Sequence, residues 1–243
     1  MKIQQPPKKK TTYVAIVLDK SSSMAADRDT TISSYNEQVQ TLNALRDKNH
    51  DVFITLILFS YPEKIERVYL KENIDKLPKL NRDTYMPNGM TALTDAMMFG
   101  IKDLELQMKL AGPEDAALMI TITDGEENAS KVHKASAVKE AITALEANGK
   151  YTFTFLGVAD IDAISSGYGL AKGNISFYGN AREAEVKTSS GIAKYMNSRS
   201  FGATTMADFY DDTKAALPPL KSDSIDLSTS ILHVATKSPR TAG

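Results

Sequence analysis

Tyr13-Val14-Ala15-Ile16-Val17-Leu18 runs directly into Asp19-Lys20-Ser21-Ser22-Ser23, an apolar stretch that ends on a carboxylate and a string of hydroxyls. Val52–Phe59 and Ala116–Thr123 are also nearly unbroken apolar runs, and the second of them leads into Asp124-Gly125. Strands that are apolar on both faces belong in the middle of a parallel sheet covered by helices on each side. Tyr151–Gly157 alternates aromatic residues with threonine, which predicts a further strand with one less apolar face. Ile175–Tyr178, short and flanked by glycine, reads as another.

Ile65–Leu70 follows the second apolar run after the tight link Ser60-Tyr61-Pro62-Glu63. So short a connection permits only an antiparallel hairpin, and the charges at Lys64, Glu66 and Arg67 suit a solvent-facing edge. Helical periods fill the intervals. Ile32, Tyr35, Val39, Leu42 and Leu45 make one stripe, and Leu93, Met97, Ile101, Leu104 and Met108 make a second that stops at Gly112-Pro113. Val132, Ala135, Val138, Ile142 and Leu145 make a third, ended by Asn148-Gly149. The order predicts an α/β fold: a doubly wound, Rossmann-like, mostly parallel sheet with one antiparallel edge strand and helices on both faces. An N-terminal arm over 1–12, a domain over 13–203 and a C-terminal extension over 204–243 are expected, the last because Pro218-Pro219 and scattered Ser and Asp carry no sustained period. Within that extension Ser224–Ala235 has apolar residues enough for a strand.

At 243 residues the chain needs no staples for a core, and it has no cysteine, which removes disulfides, thiolate metal sites and cysteine nucleophiles together. With 29 basic and 30 acidic residues the net charge is -1, so no global field draws it to nucleic acid or to a membrane. Lys8-Lys9-Lys10 reads as a solvated arm. Residues 1–12 lack the apolar centre of a signal peptide and no apolar run approaches transmembrane length, so a non-secreted, cytoplasmic protein is expected.

In doubly wound sheets, ligands bind beyond the carboxyl ends of the strands where the strand order reverses. Asp19 and Asp124 end the strands expected to flank that point. Ser21 and Ser23 stand two apart, so in an extended loop their hydroxyls point the same way. Thr91 arrives from a third loop behind the Asn88-Gly89 turn. Two carboxylates and three hydroxyls from separate loops suit one hard divalent cation, with magnesium or manganese favoured over zinc because every donor is oxygen. Calcium also fits an oxygen set. Each piece alone has a plainer meaning: Asp-x-Ser-x-Ser and Thr91 serve as helix caps, and Thr123-Asp124-Gly125 as an ordinary turn.

The three pieces in this order resemble the metal-ion-dependent adhesion site of the von Willebrand factor A family. The stretches 17–24, 82–96, 122–130, 154–157 and 173–178 are similar to small members of that family from bacteria and their phages, over roughly residues 11–202. The resemblance implies metal ligation by Asp19, Ser21, Ser23, Thr91 and Asp124, with an open position for a partner's Asp or Glu. Ser22 departs from the glycine such proteins commonly carry there. Asp95, one helical turn after Thr91, is placed to orient water behind the ion or to cap the helix; Glu126 and Glu127 are placed on the rim, and Tyr85 as an aromatic anchor for a partner. His50, His133 and His233 show no ligand spacing.

A non-enzymatic binding or scaffolding module is therefore the leading expectation, within the cytoplasm or, for a phage protein, within a virion. The first alternative is a structural subunit whose metal only braces loops while the C-terminal extension makes the contacts. The second is a magnesium-dependent phosphoryl-transfer enzyme, against which stand the absence of a second acid two residues after Asp19 and of a glycine-rich phosphate loop.

Overall fold

A computed structural model describes residues 9–157, 161–177 and 181–210. Six strands form one sheet: β1 (Lys10–Asp19), β2 (His50–Phe59), β3 (Ile65–Asn73), β4 (Ala116–Ile122), β5 (Tyr151–Gly157) and β6 (Ile175–Phe177). Their order is β3-β2-β1-β4-β5-β6, and every neighbouring pair is parallel except β2 with β3. The chain leaves β1 for β2 on one side and reaches β4 on the other, so the order reverses beside β1. The crevice at the carboxyl ends of β1 and β4 is the natural binding position of such a sheet.

Among the described residues five α-helices cover the faces: α1 (Arg28–Leu45), α2 (Leu93–Met108), α3 (Ala135–Glu146), α4 (Ile161–Tyr168) and α5 (Ala181–Ser200). Alternate residues of β1 serve opposite cores. Tyr13, Ala15 and Val17 pack with Met97, Ile101, Val138, Ile142 and Ile164 from α2, α3 and α4. Val14, Ile16 and Leu18 pack with Tyr35, Leu42, Ile192 and Met196 from α1 and α5. Gly100 lets α2 lie close on the sheet, because a Cβ there would stand 2.9 Å from Val17 Cγ2 and 3.2 Å from Met119 Sδ. A helix-interior glycine costs about 1 kcal/mol relative to alanine, which that close approach offsets. None of the described helices is long and apolar enough to cross a membrane.

The expected centre of the sheet and its antiparallel edge strand are present; several boundaries differ. Lys10, Thr11 and Thr12, assigned to the arm, are the first residues of β1. Val132, counted in the third helical stripe, precedes α3 and is 75% exposed. The alternation in β5 does not mark a wetter face, since all seven of its residues are buried. Thr152 Oγ1 accepts the Met206 N–H at 3.0 Å, and Thr154 Oγ1 donates to Met119 O at 3.2 Å, so the threonines are satisfied internally. Residues 204–210, assigned to the extension, run along the sheet: Thr205 Oγ1 donates to Tyr151 O and Tyr210 N to Gly173 O, while Phe209 is buried against Tyr195. Residues 211–243, including the possible strand Ser224–Ala235, lie outside the described residues.

Candidate metal centre

The crevice between β1 and β4 is built by register. Leu18 pairs with Ile122, which sets Asp19 and Thr123 side by side where the two strands end. Thr123 Oγ1 donates to Asp19 Oδ2 at 2.6 Å, and the Ser21 N–H donates to Asp19 Oδ1 at 2.6 Å. Ser22–Ala25 then form a short 3-10 turn that folds the serines back over the strand end. Ser21 Oγ lies 3.0 Å from Ser23 Oγ, and Ser23 Oγ donates to Asp124 Oδ1 at 2.7 Å. A chain of oxygen donors thus runs from Ser21 through Ser23 to Asp124, with Asp19 buried beneath it.

Thr91 comes from the loop before α2, held on both sides. Its N–H donates to Asn128 Oδ1 at 2.9 Å, and the Asn128 N–H returns to Thr91 O at 3.1 Å. Asn88 N donates to Lys20 O, Ser22 N to Gly89 O, and Gly89 N to Ser22 Oγ, so the threonine loop is laced to the serine loop. Gly125 leaves the space between them open: a Cβ there would stand 3.0 Å from Thr91 Oγ1 and 3.8 Å from Asp19 Oδ2. Thr91 and Asp19 therefore face a common cradle that any larger residue at 125 would fill.

Burial pushes the Asp19 carboxyl up to about 6; hydrogen bonds from Thr123 and Ser21 pull it back, and Asp124 adds a further push upward. Among the described residues no basic side chain offsets this buried acid. Among the described residues no cluster of three or more His, Cys, Asp or Glu side chains surrounds one point, so an ion held here must draw on hydroxyls. The donor set is hard oxygen with two acids close together, which fits a divalent cation and lacks the imidazole and thiolate that zinc favours.

Two of the flanking residues, Tyr85 and Glu127, take places that differ from their expected ones. Tyr85, expected as a partner anchor, is fully buried and its hydroxyl donates to Asp19 O at 2.7 Å; it supports the strand end from below. Glu127, expected on the rim, turns inward and accepts from Thr94 N, Ala129 N, Ser130 N and Ser130 Oγ. It caps the first turn of α2 from another loop. Burial works to raise its pKa, but the bonds from Ser130 and Thr94 prevail and hold it below the usual carboxylate range. Asp95 accepts from the N–H groups of Lys131, Val132 and His133 and from His133 Nδ1, tying α2 to the loop after β4. Its pKa is lowered by those bonds against the opposing effect of burial. Glu126 alone of the four flanking residues is exposed. The chain also shows a role for Ser22 that residue type does not announce: its hydroxyl is the acceptor that clamps Gly89 at 2.9 Å.

With this geometry in view, the comparisons with known proteins show the family through one model and the fold through solved structures. A model of the von Willebrand factor type A domain matches residues 14–202, and the chain belongs to that family. No curated protein matches. Among solved structures, proximal thread matrix protein 1 from the mussel byssus is 13% identical with a TM-score of 0.52, covering 77% of this chain and 46% of its own. A form of that protein with a zinc-occupied MIDAS motif (the metal-ion-dependent adhesion site) is 14% identical with a TM-score of 0.52, covering 79% of this chain and 48% of its own. The pilus adhesin SpaC from Lactobacillus rhamnosus GG is 13% identical with a TM-score of 0.59, covering 78% of this chain and 31% of its own. This chain spans less than half the length of each of these proteins, and at such identities the likeness is one of fold.

Proposed function

We propose that this domain is a divalent-metal-dependent protein-binding module, in which Asp19, Ser21, Ser23, Thr91 and Asp124 hold magnesium and leave a position for a partner's Asp or Glu. The observation that carries this reading is the open cradle at Gly125, lined by Thr91 Oγ1 and the uncompensated buried carboxylate of Asp19. When bound, the ion supplies a concentrated positive charge to which an acidic side chain adds as a further oxygen donor. The chain's own residues do the remaining work. Thr123 and the Ser21 N–H fix the Asp19 carboxylate, Tyr85 holds the Asp19 backbone carbonyl, Asn128 and Ser22 fix the threonine loop, and Glu127 holds the start of α2.

These internal bonds also weigh against an ion that merely braces loops, because the loops are already tied to one another without it. They weigh against phosphoryl transfer too: both oxygens of Asp19 accept hydrogen bonds, and the neighbouring Asp124 carboxylate accepts one from Ser23. On this reading the domain binds and does not turn over phosphate esters. The likeness to a pilus adhesin and a matrix protein supports assembly as the setting. A cytoplasmic complex, or a virion if the chain is phage-encoded, is the proposed location.

The experiment is a thermal melt in chelator and in magnesium, with manganese, calcium and zinc in parallel. With a dissociation constant of about 0.1–1 mM, about 10 mM magnesium stabilises the folded domain by about 1.4–2.7 kcal/mol. Asp124→Ala and Gly125→Val are expected to remove the effect while leaving the melt in chelator cooperative. Midpoints identical with every cation, and no heat of binding by calorimetry, would falsify the reading.

A further inference from the structure

Beside the metal centre, at the same end of the sheet, lies a cleft of about 440 Å³, a volume within the range of ordinary ligand sites. Lys20, Ser60, Lys64, Glu66, Met86 and Asn88 are among its walls. Its position follows from topology. Lys20 falls between the proposed ligands Asp19 and Ser21, Ser60 follows β2, and β3 runs antiparallel, so Lys64 and Glu66 open it at the carboxyl end of its neighbours. Met86 and Asn88 come from the loop that carries Thr91.

The charges in the cleft do not cancel. Lys20 Nζ pairs with Glu66 Oε2 at 2.7 Å, and the Lys20 side chain is only 11% exposed. Lys64 is exposed, and among the described residues no carboxylate comes within 4.0 Å of its ammonium. Two lysines against one glutamate leave one uncompensated positive charge. That charge is placed rather than loose: Lys64 Nζ lies 5.7 Å from the centre of the Tyr61 ring, and the Tyr61 ring covers Gly89 of the threonine loop. The second mark of an incomplete site is Ser60, which is fully buried with no hydrogen-bond partner for its hydroxyl among the described residues. Buried polar groups are nearly always paired, so one that is not calls for a specific explanation. Met86, 60% exposed, and Pro87 add an apolar wall.

We propose that the partner segment supplying the metal-binding carboxylate continues through this cleft and sets a second Asp or Glu against Lys64, so that the domain recognises a di-acidic peptide rather than a single acid. The inference rests on the metal-bridge reading above. The ion takes one carboxylate, Lys64 takes the other, and the side chain between them lies along Met86 and Pro87. An isolated acid satisfies half of this surface; a basic segment is rejected by Lys64.

The test is an NMR titration of the full chain in magnesium with synthetic peptides. One set carries a single Asp in a Gly/Ser background; the other adds a Glu one to four residues away on either side. At least one di-acidic peptide is expected to bind about three- to fivefold more tightly than the single-acid peptide, the range of one partly exposed ion pair. That gain should vanish in Lys64→Gln, a surface change that leaves the fold intact, and all binding should vanish in chelator. If single- and double-acid peptides bind equally, and only in magnesium, the second subsite is wrong and the metal bridge stands. If the gain survives Lys64→Gln, the second subsite is wrong as well. If no peptide binds in a metal-dependent way, the metal bridge and this inference fall together.

Discussion

At the amino end of the strands, Arg199 from α5 is 1% exposed, yet its donors reach Thr12 Oγ1, Ala203 O, Thr11 O and Glu114 O at 2.5–3.2 Å. At the carboxyl end, Asp19 is just as buried, but its charge meets one backbone N–H, the hydroxyls of Thr123 and Ser21, and a second carboxylate nearby. Burial disfavours both charges, lowering the arginine pKa and raising that of the aspartate. The arginine ties β1, the link before β4 and the end of α5 together with bonds the protein supplies itself. The aspartate sits in a cradle where hydroxyls, one backbone N–H and a second acid are its described neighbours. A buried charge fully matched by the chain serves the fold, and one left unmatched in a crevice is available to a ligand.

The largest expected effect tests the matched end. Arg199→Met leaves three carbonyls and the Thr12 hydroxyl without their donor. A buried acceptor left unsatisfied costs about 1–3 kcal/mol, so losing the donor to four of them together is expected to cost several times a single hydrogen bond. Urea unfolding should show the same loss in magnesium and in chelator, because nothing at that end waits for an ion. A loss that depends on magnesium would erase the distinction between the two ends.

The unmatched end should instead reveal itself through pH. Asp19 has a folded pKa raised to about 6, against an unfolded value near 3.9. A group so shifted contributes stability that is fully present below about pH 4 and is lost as pH rises through about 6, a loss of about 3 kcal/mol. In chelator, the stability of the native chain relative to Asp19→Asn should fall by that order across the window, since other groups cancel in the difference. Adding magnesium should largely remove the slope, because the ion offsets the ionised form. A flat difference in chelator would mean that Asp19 is as well satisfied as Arg199.

What was legible from residues alone divides along the same line. The strands β1, β2 and β4 announce themselves because both of their faces are buried, leaving nothing for a polar residue to do. Helix α5 does not, although its buried positions 184, 188, 191, 192, 195, 196 and 199 follow a helical period closely. Thr188, Gly191 and Arg199 occupy that stripe, so hydropathy hides it, and Arg199 is polar there for the structural reason given above. At the site, the acids and hydroxyls were readable as a set because their order along the chain follows the strand ends. The directions of Tyr85, Glu127 and Asp95 were not. Residue type fixes what a side chain can bond, while loop geometry decides whether it faces the partner or the interior. Lys64 and Glu66 read as edge charges from spacing, and only the packing of β3 brings them to Lys20.

The smallest expected effect concerns Ser22, where the chain departs from the glycine common in similar proteins. Its backbone N–H donates to Gly89 O at 3.0 Å and its hydroxyl accepts from Gly89 N at 2.9 Å. Ser22→Gly keeps the first bond and loses the second. Ser22 is exposed, so water replaces the hydroxyl in part and the loss sits near the lower end of about 0.5–1.5 kcal/mol for a net hydrogen bond. Added backbone freedom brings the total to about 1 kcal/mol. Thr91 rides on the same loop but is held independently by Asn128, so magnesium affinity should weaken only about two- to threefold by calorimetry. Ser22→Ala separates the two causes, since it removes the hydroxyl without loosening the backbone. If both variants bind magnesium as tightly as the native chain, Asn128 alone positions Thr91 and the serine clamp belongs with the matched, purely structural bonds. If Ser22→Ala shares the weaker binding, the clamp belongs to the site, and the serine in place of glycine pre-orders the cradle between the two loops.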